Sequence, residues 1–435
     1  MANQKVFCGV PWTNHHFYWD GSYGVCSSES KRPVTDQNLK NTSLIEWYDS
    51  DTMRDFRRRI LSDQPLPECS SCYKEEAVGY QSRRIKENYK LGIFTEHGDN
   101  AFKHSFQQSS WHSKFNNNGS NNLLPIDWHV DLGNECNFAC KMCIPEASSK
   151  IANAYKSWDI KFNQKPNWVN NTDSWQQLLE NLSSVKERLN RIHIIGGEPL
   201  VNKKFYQLID WLLENNYQHV SVSVVTNGTN VTTDLIDKLK QFRLVHFEVS
   251  AESVNQTNDY IRQGCDYIKL WETIEFLATQ QTENFQLVLR SAPQLLSVND
   301  YHEYITKAYS MGLAITSVPL SYPAHMAINV LPWSTKQNIK IRYEEVLAML
   351  EQDIKKESLT NTIALGRDTS RLAHLLAREC RVIISMLTSQ TPANVDELRY
   401  SLVEWLTKWD QKYDYDARNL YPEYQIFLES YGYSV

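Results

Sequence analysis

Between residue 125 and about residue 330 the chain alternates. Short apolar or β-branched runs are followed by longer amphipathic stretches. The short runs are Ile126–Leu132, Ile192–Ile195, Val220–Val225, Val245–Val249, Phe285–Leu289 and Ala314–Pro319. The longer stretches are Asp173–Leu189, Lys204–Asn215, Asp234–Phe242, Asp266–Thr279 and Asn299–Met311, and several open on an Asp or Asn in the capping position. Strands alternating with helices predict a parallel α/β sheet. Right-handed crossovers let such units curl into a barrel or part of one, while the alternation alone equally allows an open doubly wound sheet.

The flanks follow other patterns. After residue 331 the spacing is helical over Gln337–Lys356, Ser370–Leu387 and Val395–Tyr413, each charged along one side. These helices are expected to pack on the sheet or cover its opening. Residues 1–91 form a cysteine-containing module with a helix expected over Leu44–Leu61 and the pair Cys69-Ser70-Ser71-Cys72 on a tight turn. Residues 92–124, which include Gly98-Asp99-Asn100 and an Asn-rich run from Asn116 to Asn122, read as a linker or loop. The expected division is therefore 1–91, 92–124, 125–330 and 331–435.

Composition narrows the setting. The chain has 435 residues, 41% hydrophobic and 22% charged, in the range of a folded soluble protein. A net charge of −6 gives no general attraction to nucleic acid or to a membrane surface. No apolar run is long enough to span a bilayer, and the first residues lack the apolar core of a signal peptide, so a cytoplasmic location is expected. In a reducing compartment the nine cysteines are metal ligands sooner than disulfides, and seven fall in the first third. Cys265 and Cys380 stand alone and read as small buried residues. The basic clusters Arg54–Arg59 and Arg83–Lys86 read as solvated helix faces.

The most informative stretch is Asp131-Leu132-Gly133-Asn134-Glu135-Cys136-Asn137-Phe138-Ala139-Cys140-Lys141-Met142-Cys143. Three thiolates spaced this way can hold three irons of a cubane, and with no fourth cysteine nearby one iron keeps an open position for chemistry. A zinc site with His129 as the fourth ligand is the alternative. In parallel α/β folds ligands gather at the carboxyl ends of strands. The expected strands end in the cysteine loop, Gly196-Gly197-Glu198-Pro199, Thr226-Asn227-Gly228, Ser250-Ala251-Glu252-Ser253, Arg290 and Pro319, a succession of polar or glycine-rich ends.

These motifs, in this order, make residues 125–320 resemble the radical S-adenosylmethionine (SAM) enzymes. The resemblance implies a partial (β/α)6 barrel of the TIM type. It also implies a [4Fe–4S] cluster on Cys136, Cys140 and Cys143, whose open iron binds SAM. By the same resemblance Gly196, Gly197 and Glu198 of the Gly196–Pro199 turn contact the SAM amino group. Thr226 and Asn227 lie near its methionine and ribose, Ser250 and Glu252 reach the ribose or carboxylate, and Arg262 pairs with the carboxylate. Met142 stands where many members carry an aromatic residue. Upstream, Cys8, Cys26, Cys69 and Cys72 supply enough ligands to close a site. They resemble the twitch or SPASM-like modules that hold a second, auxiliary [4Fe–4S] cluster in peptide-modifying members, here placed before the barrel; a structural zinc site is the alternative.

The reading that follows is an enzyme that cleaves SAM reductively and removes a hydrogen atom from a peptide or protein side chain. It would be served by an external flavodoxin- or ferredoxin-like electron donor, with neither membrane nor nucleic acid as a partner. The alternatives are a nucleoside, sugar or small-metabolite substrate, and a non-catalytic zinc-binding interaction protein.

Overall fold

A computed structural model describes residues 6–29, 31–62, 64–77, 79, 81–91, 125–163, 166–360 and 369–435; the expected linker 92–124 lies outside them. Its strands are β1 (Asn14–Phe17), β2 (Tyr23–Gly24), β3 (Asp127–Asp131), β4 (Ala139–Cys140), β5 (Arg191–Ile195), β6 (Ser221–Thr226), β7 (Leu244–Ser250), β8 (Arg262–Gln263), β9 (Phe285–Ser291) and β10 (Ala314–Ser317). All six runs expected from the apolar pattern are among them. The result is a mixed α/β fold with a mostly parallel sheet and a helical C-terminal region.

The chain divides into two compact units. The first comprises Met1–Glu135, Asn163–Val224 and Asp237–Val245. Its strands lie in the order β6-β5-β3-β1-β2, parallel except for the β1–β2 hairpin. The strand β1 was not expected. Asn14-His15-His16-Phe17 has no β-branched residue, yet it pairs in parallel with Asp127–Val130. The register aligns His16 with His129 and His129 with His193. Successive side chains on a strand point to opposite faces, so three imidazoles form a row with ring centroids 4.8 Å apart at each step. His15 points the other way, 4.6 Å from Trp128 and 5.2 Å from Tyr23. Burial pulls His15 down to about 3 and holds His16 and His129 well below the usual imidazole range.

The expected helix Leu44–Leu61 is two, Leu44–Tyr48 and Asp51–Leu61. Ser50 accepts from the Met53 amide and starts the second helix, an N-cap that the apolar periodicity concealed. Arg57 is fully buried and donates to the carbonyls of Pro11 (2.9 Å) and Tyr48 (2.6 Å). Arg54 is paired with Asp49 and Arg59 with Asp55 and Glu68, so this arginine run is largely neutralised by its own neighbours. Cys69 closes a 3-10 turn, Pro67–Cys69, and Cys72 lies in the helix Ser70–Ala77, in place of the expected simple turn.

The second unit comprises Cys136–Phe162, Val225–Ile236 and His246–Val435. Its strands run β10-β9-β7, with β9 and β10 parallel. Asp266 caps the helix Tyr267–Thr279 by accepting from the Lys269 amide. The C-terminal helices are Trp333–Thr360, Thr369–Thr388 and Val395–Tyr413. The first two pack along each other, and the second also packs on β10. Among the described residues no helix is long and apolar enough to cross a membrane.

Candidate functional site

The cysteine loop Cys136–Cys143 is built by hydrogen bonds at nearly every residue. Ser149 accepts from the Cys136 amide (3.1 Å) and donates back to its carbonyl (3.3 Å). Ser148 caps the following helix and donates to Phe138 O at 3.0 Å. The short strand β4 pairs antiparallel with β8, setting Cys140 opposite Arg262. Cys140 and Cys143 share a thiol hydrogen bond that raises the first and lowers the second, and the charge of Cys136 also reaches Cys143. The three sulfurs are therefore gathered on one loop.

Around this loop stand residues from three strand ends. Asn137 accepts from the Asn227 amide group at 2.8 Å and donates to Thr229 at 3.1 Å. Thr226 accepts from the Gly228 amide, so its hydroxyl shapes the turn. Glu252 is fully buried; one carboxylate oxygen takes Nε and Nη2 of Arg262 (3.2 and 2.8 Å) and the other takes the Ala292 amide (2.9 Å). Burial pushes Glu252 up, and the Arg262 guanidinium opposes that push. Nη1 of Arg262 lies 3.9 Å from the Cys140 sulfur. Ser250, Glu252, Arg262 and Arg290 line a cavity of about 300 Å³.

In the first unit the Gly196–Pro199 turn is stitched to the residues preceding Cys136. Gly197 donates to Gly133 O and Glu198 donates to Glu135 O, both at 2.7 Å. Glu198 is buried, accepts from the Leu200 amide, and leads into the 3-10 turn that Pro199 opens. A Cβ on Gly197 would stand 2.3 Å from Glu135 O and 2.6 Å from its carbonyl carbon, and one on Gly196 would stand 2.9 Å from Gly133 O. Those partners are backbone and cannot swing aside, so the glycines are required by close approach. Gly197→Ala is expected to cost about 1–3 kcal/mol or more of stability. A melting curve unchanged from that of the parent would show that the backbone yields more easily than this geometry implies.

Cys8, Cys26, Cys69 and Cys72 line a second cavity in the first unit, with Val10, Pro11, Phe56, Ile60 and Arg84 on its walls. Burial raises all four, Cys69 to about 12 and Cys72 to about 11; the charges of other thiols add to it at Cys8, Cys69 and Cys72, and those of Glu87 and Glu75 at Cys26. Backbone amides offset this: Ser28 N lies 3.4 Å from the Cys26 sulfur, and Val10 and Arg84 serve Cys8 and Cys72. Four thiols around a largely apolar cavity, supplied with N–H donors and one guanidinium and bordered by Glu29 and Glu68, fit an iron–sulfur cluster held as thiolates. Among the described residues no three His, Cys, Asp or Glu side chains converge as ligands of a single ion. His129, the conceivable fourth zinc ligand, lies in the buried imidazole row.

Sequence reasoning missed the backbone seam between Gly197 and Gly133–Glu135, the role of Asn137, and Lys141. A Gly-Asn-Glu run just before the first cysteine was the available signal for the seam. Lys141 is fully buried between two of the cysteines. Burial lowers it to about 7, while Asp410 and Cys140 oppose that shift.

The family model of the radical SAM superfamily matches residues 130–288, and that of the iron–sulfur cluster-binding SPASM domain matches residues 8–73. The mycofactocin maturase MftC of Mycolicibacterium smegmatis is 24% identical over 193 residues, 44% of each chain. The Fe-coproporphyrin III synthase of Methanosarcina barkeri is 26% identical over 132 residues, 30% of this chain and 28% of that one. The chain thus spans less than half the length of these curated relatives. Streptococcus suis SuiB bound to S-adenosylmethionine superposes with a TM-score of 0.38 at 13% identity, covering 73% of this chain and 66% of that one.

Proposed function

Because residues 130–288 form a domain of the radical SAM superfamily and residues 8–73 an iron–sulfur cluster-binding domain, we propose that the protein cleaves SAM reductively and removes a hydrogen atom from a substrate. The observation that carries this reading is the gathering of Cys136, Cys140 and Cys143 on one loop with Arg262 beside them. Cys136, Cys140 and Cys143 would hold a [4Fe–4S] cluster, which would supply the electron for reductive cleavage of SAM. The chain's own part is to bind and orient. Arg262 offers a guanidinium next to the cysteines for the SAM carboxylate. Gly196, Gly197 and Glu198 present backbone and a carboxylate for its ammonium. Thr226, Asn227, Ser250 and Glu252 place polar groups at the strand ends for the remainder. Cys8, Cys26, Cys69 and Cys72 would hold the auxiliary cluster within the module 1–91, followed by the linker 92–124, the barrel 125–330 and the helical region 331–435.

A peptide or protein side chain is the leading substrate. The likeness of residues 8–73 to the cluster modules of peptide-modifying members supports it, as does a relative named as a maturase. Reducing equivalents would come from a flavodoxin- or ferredoxin-like protein. Anaerobic incubation of iron-loaded protein with SAM and a strong one-electron reductant should yield 5′-deoxyadenosine; none from fully loaded protein rejects the reading. Comparing peptides and small metabolites in cells with and without the gene then separates substrates. A change confined to small metabolites would reject the peptide assignment in favour of chemistry nearer that named for the synthase.

A further inference from the structure

Lys141 is held at every polar group it has. Its amide donates to Ile261 O at 2.8 Å, its carbonyl accepts from the Trp405 indole at 3.3 Å, and its ammonium donates to Tyr260 O at 2.7 Å. The ammonium also lies 3.6 Å from the Tyr260 ring centroid, 4.9 Å from that of Trp409 and 5.4 Å from that of Tyr415. Asp410 provides the nearby carboxylate and is itself fixed by Tyr260 OH and the Ala417 amide, both at 3.0 Å. An ammonium is costly to remove from water unless it is hydrogen-bonded and balanced. Here one backbone carbonyl, three aromatic faces and one carboxylate provide the balance. Trp405, Trp409 and Asp410 all belong to the helix Val395–Tyr413.

We propose that Lys141 is a positioning residue through which the helix Val395–Tyr413 sets the spacing of the three cysteines, so that this C-terminal helix is part of the cluster site. This rests on the function proposed above. The clamp acts on the peptide directly after Cys140 and two residues before Cys143. Losing it frees the segment that must present two of three thiolates. The restraints left on that turn are backbone ones, the Cys143 amide on Cys140 O at 2.9 Å and the β4–β8 pairing at Cys140 among them.

The test compares Lys141→Met, Lys141→Arg, the remote Trp409→Leu and the milder Trp409→Phe in anaerobically reconstituted protein. Iron per chain and the electron paramagnetic resonance spectrum of the reduced protein, with and without SAM, are the readouts. Lys141→Met and Trp409→Leu should each lose about half or more of the iron carried by Cys136, Cys140 and Cys143, or show an altered spectrum from it. Iron on the four N-terminal cysteines should stay in place, and Lys141→Arg should recover most of the loss. Iron and spectra equal to the parent in both disruptive variants would overturn the inference. So would equal loss from both sites in the milder Trp409→Phe, which points to general destabilisation. A parent protein that takes no iron at the three cysteines would instead defeat the proposed function.

Discussion

The triple variant Cys136→Ala, Cys140→Ala, Cys143→Ala is expected to carry about four irons per chain where the parent carries about eight, and to form no 5′-deoxyadenosine. The partition follows from where the ligands lie. The four remaining cysteines line a cavity of their own, walled by Val10, Pro11, Phe56 and Ile60, and draw amide donors from Val10, Ser28 and Arg84. None of those groups depends on the loop 136–143. Iron chelated and counted after reconstitution, with 5′-deoxyadenosine measured in parallel, decides the matter. Zinc at either site without iron, or cleavage of SAM surviving in the variant, would refute the assignment of the two cysteine sets.

Acid should destabilise the protein steeply from just below neutrality. His15, His16 and His129 are 1%, 5% and 8% exposed, and burial holds each well below its ordinary value. Above about pH 7.5 neither the folded nor the unfolded chain protonates these rings to any extent, and they contribute little to pH dependence. Below that, the unfolded chain takes up protons that the folded chain refuses, so stability falls as pH falls, down to the depressed folded values. For His15, held at about 3, this amounts to about 2 kcal/mol by pH 5, and His16 and His129 act in the same direction. Denaturant midpoints at pH 7.5 and 5.5 measure it. His15→Phe, which keeps an aromatic ring against Trp128 and Tyr23, should reduce the difference in stability between those two pH values by about 1.4 kcal/mol. Equal slopes in parent and variant would show that the ring is protonated in the fold.

Much of this was legible in the chain, for definite physical reasons. The strands from Ile126 to Pro319 announce themselves because each is apolar and several are followed by a helix whose cap is an Asp or Asn. Cys136, Cys140 and Cys143 are legible as one loop because they are close in sequence, whereas Cys8, Cys26, Cys69 and Cys72 come from separate segments and are grouped by their resemblance to a cluster module. What stayed hidden depends on partners distant in sequence. The strand β1 reads as a polar loop until Asp127–Val130 is beside it. The break at Ser50 lies within one amphipathic run, where an N-cap weighs more than periodicity. Lys141 looks like an ordinary polar spacer between cysteines. Its burial is explained by partners far along the chain, Tyr260 and, more than 250 residues later, Trp405, Trp409 and Asp410.

The parallel pairing of Asn14–Phe17 with Asp127–Val130 makes the N-terminal cysteines part of the same woven fabric as the sheet. Cutting the chain after residue 91 would strip β3 of a hydrogen-bonded neighbour and bare the imidazole row to water. A chimera that exchanges this front segment with that of another protein would have to carry a compatible replacement strand, not only four cysteines at the right intervals.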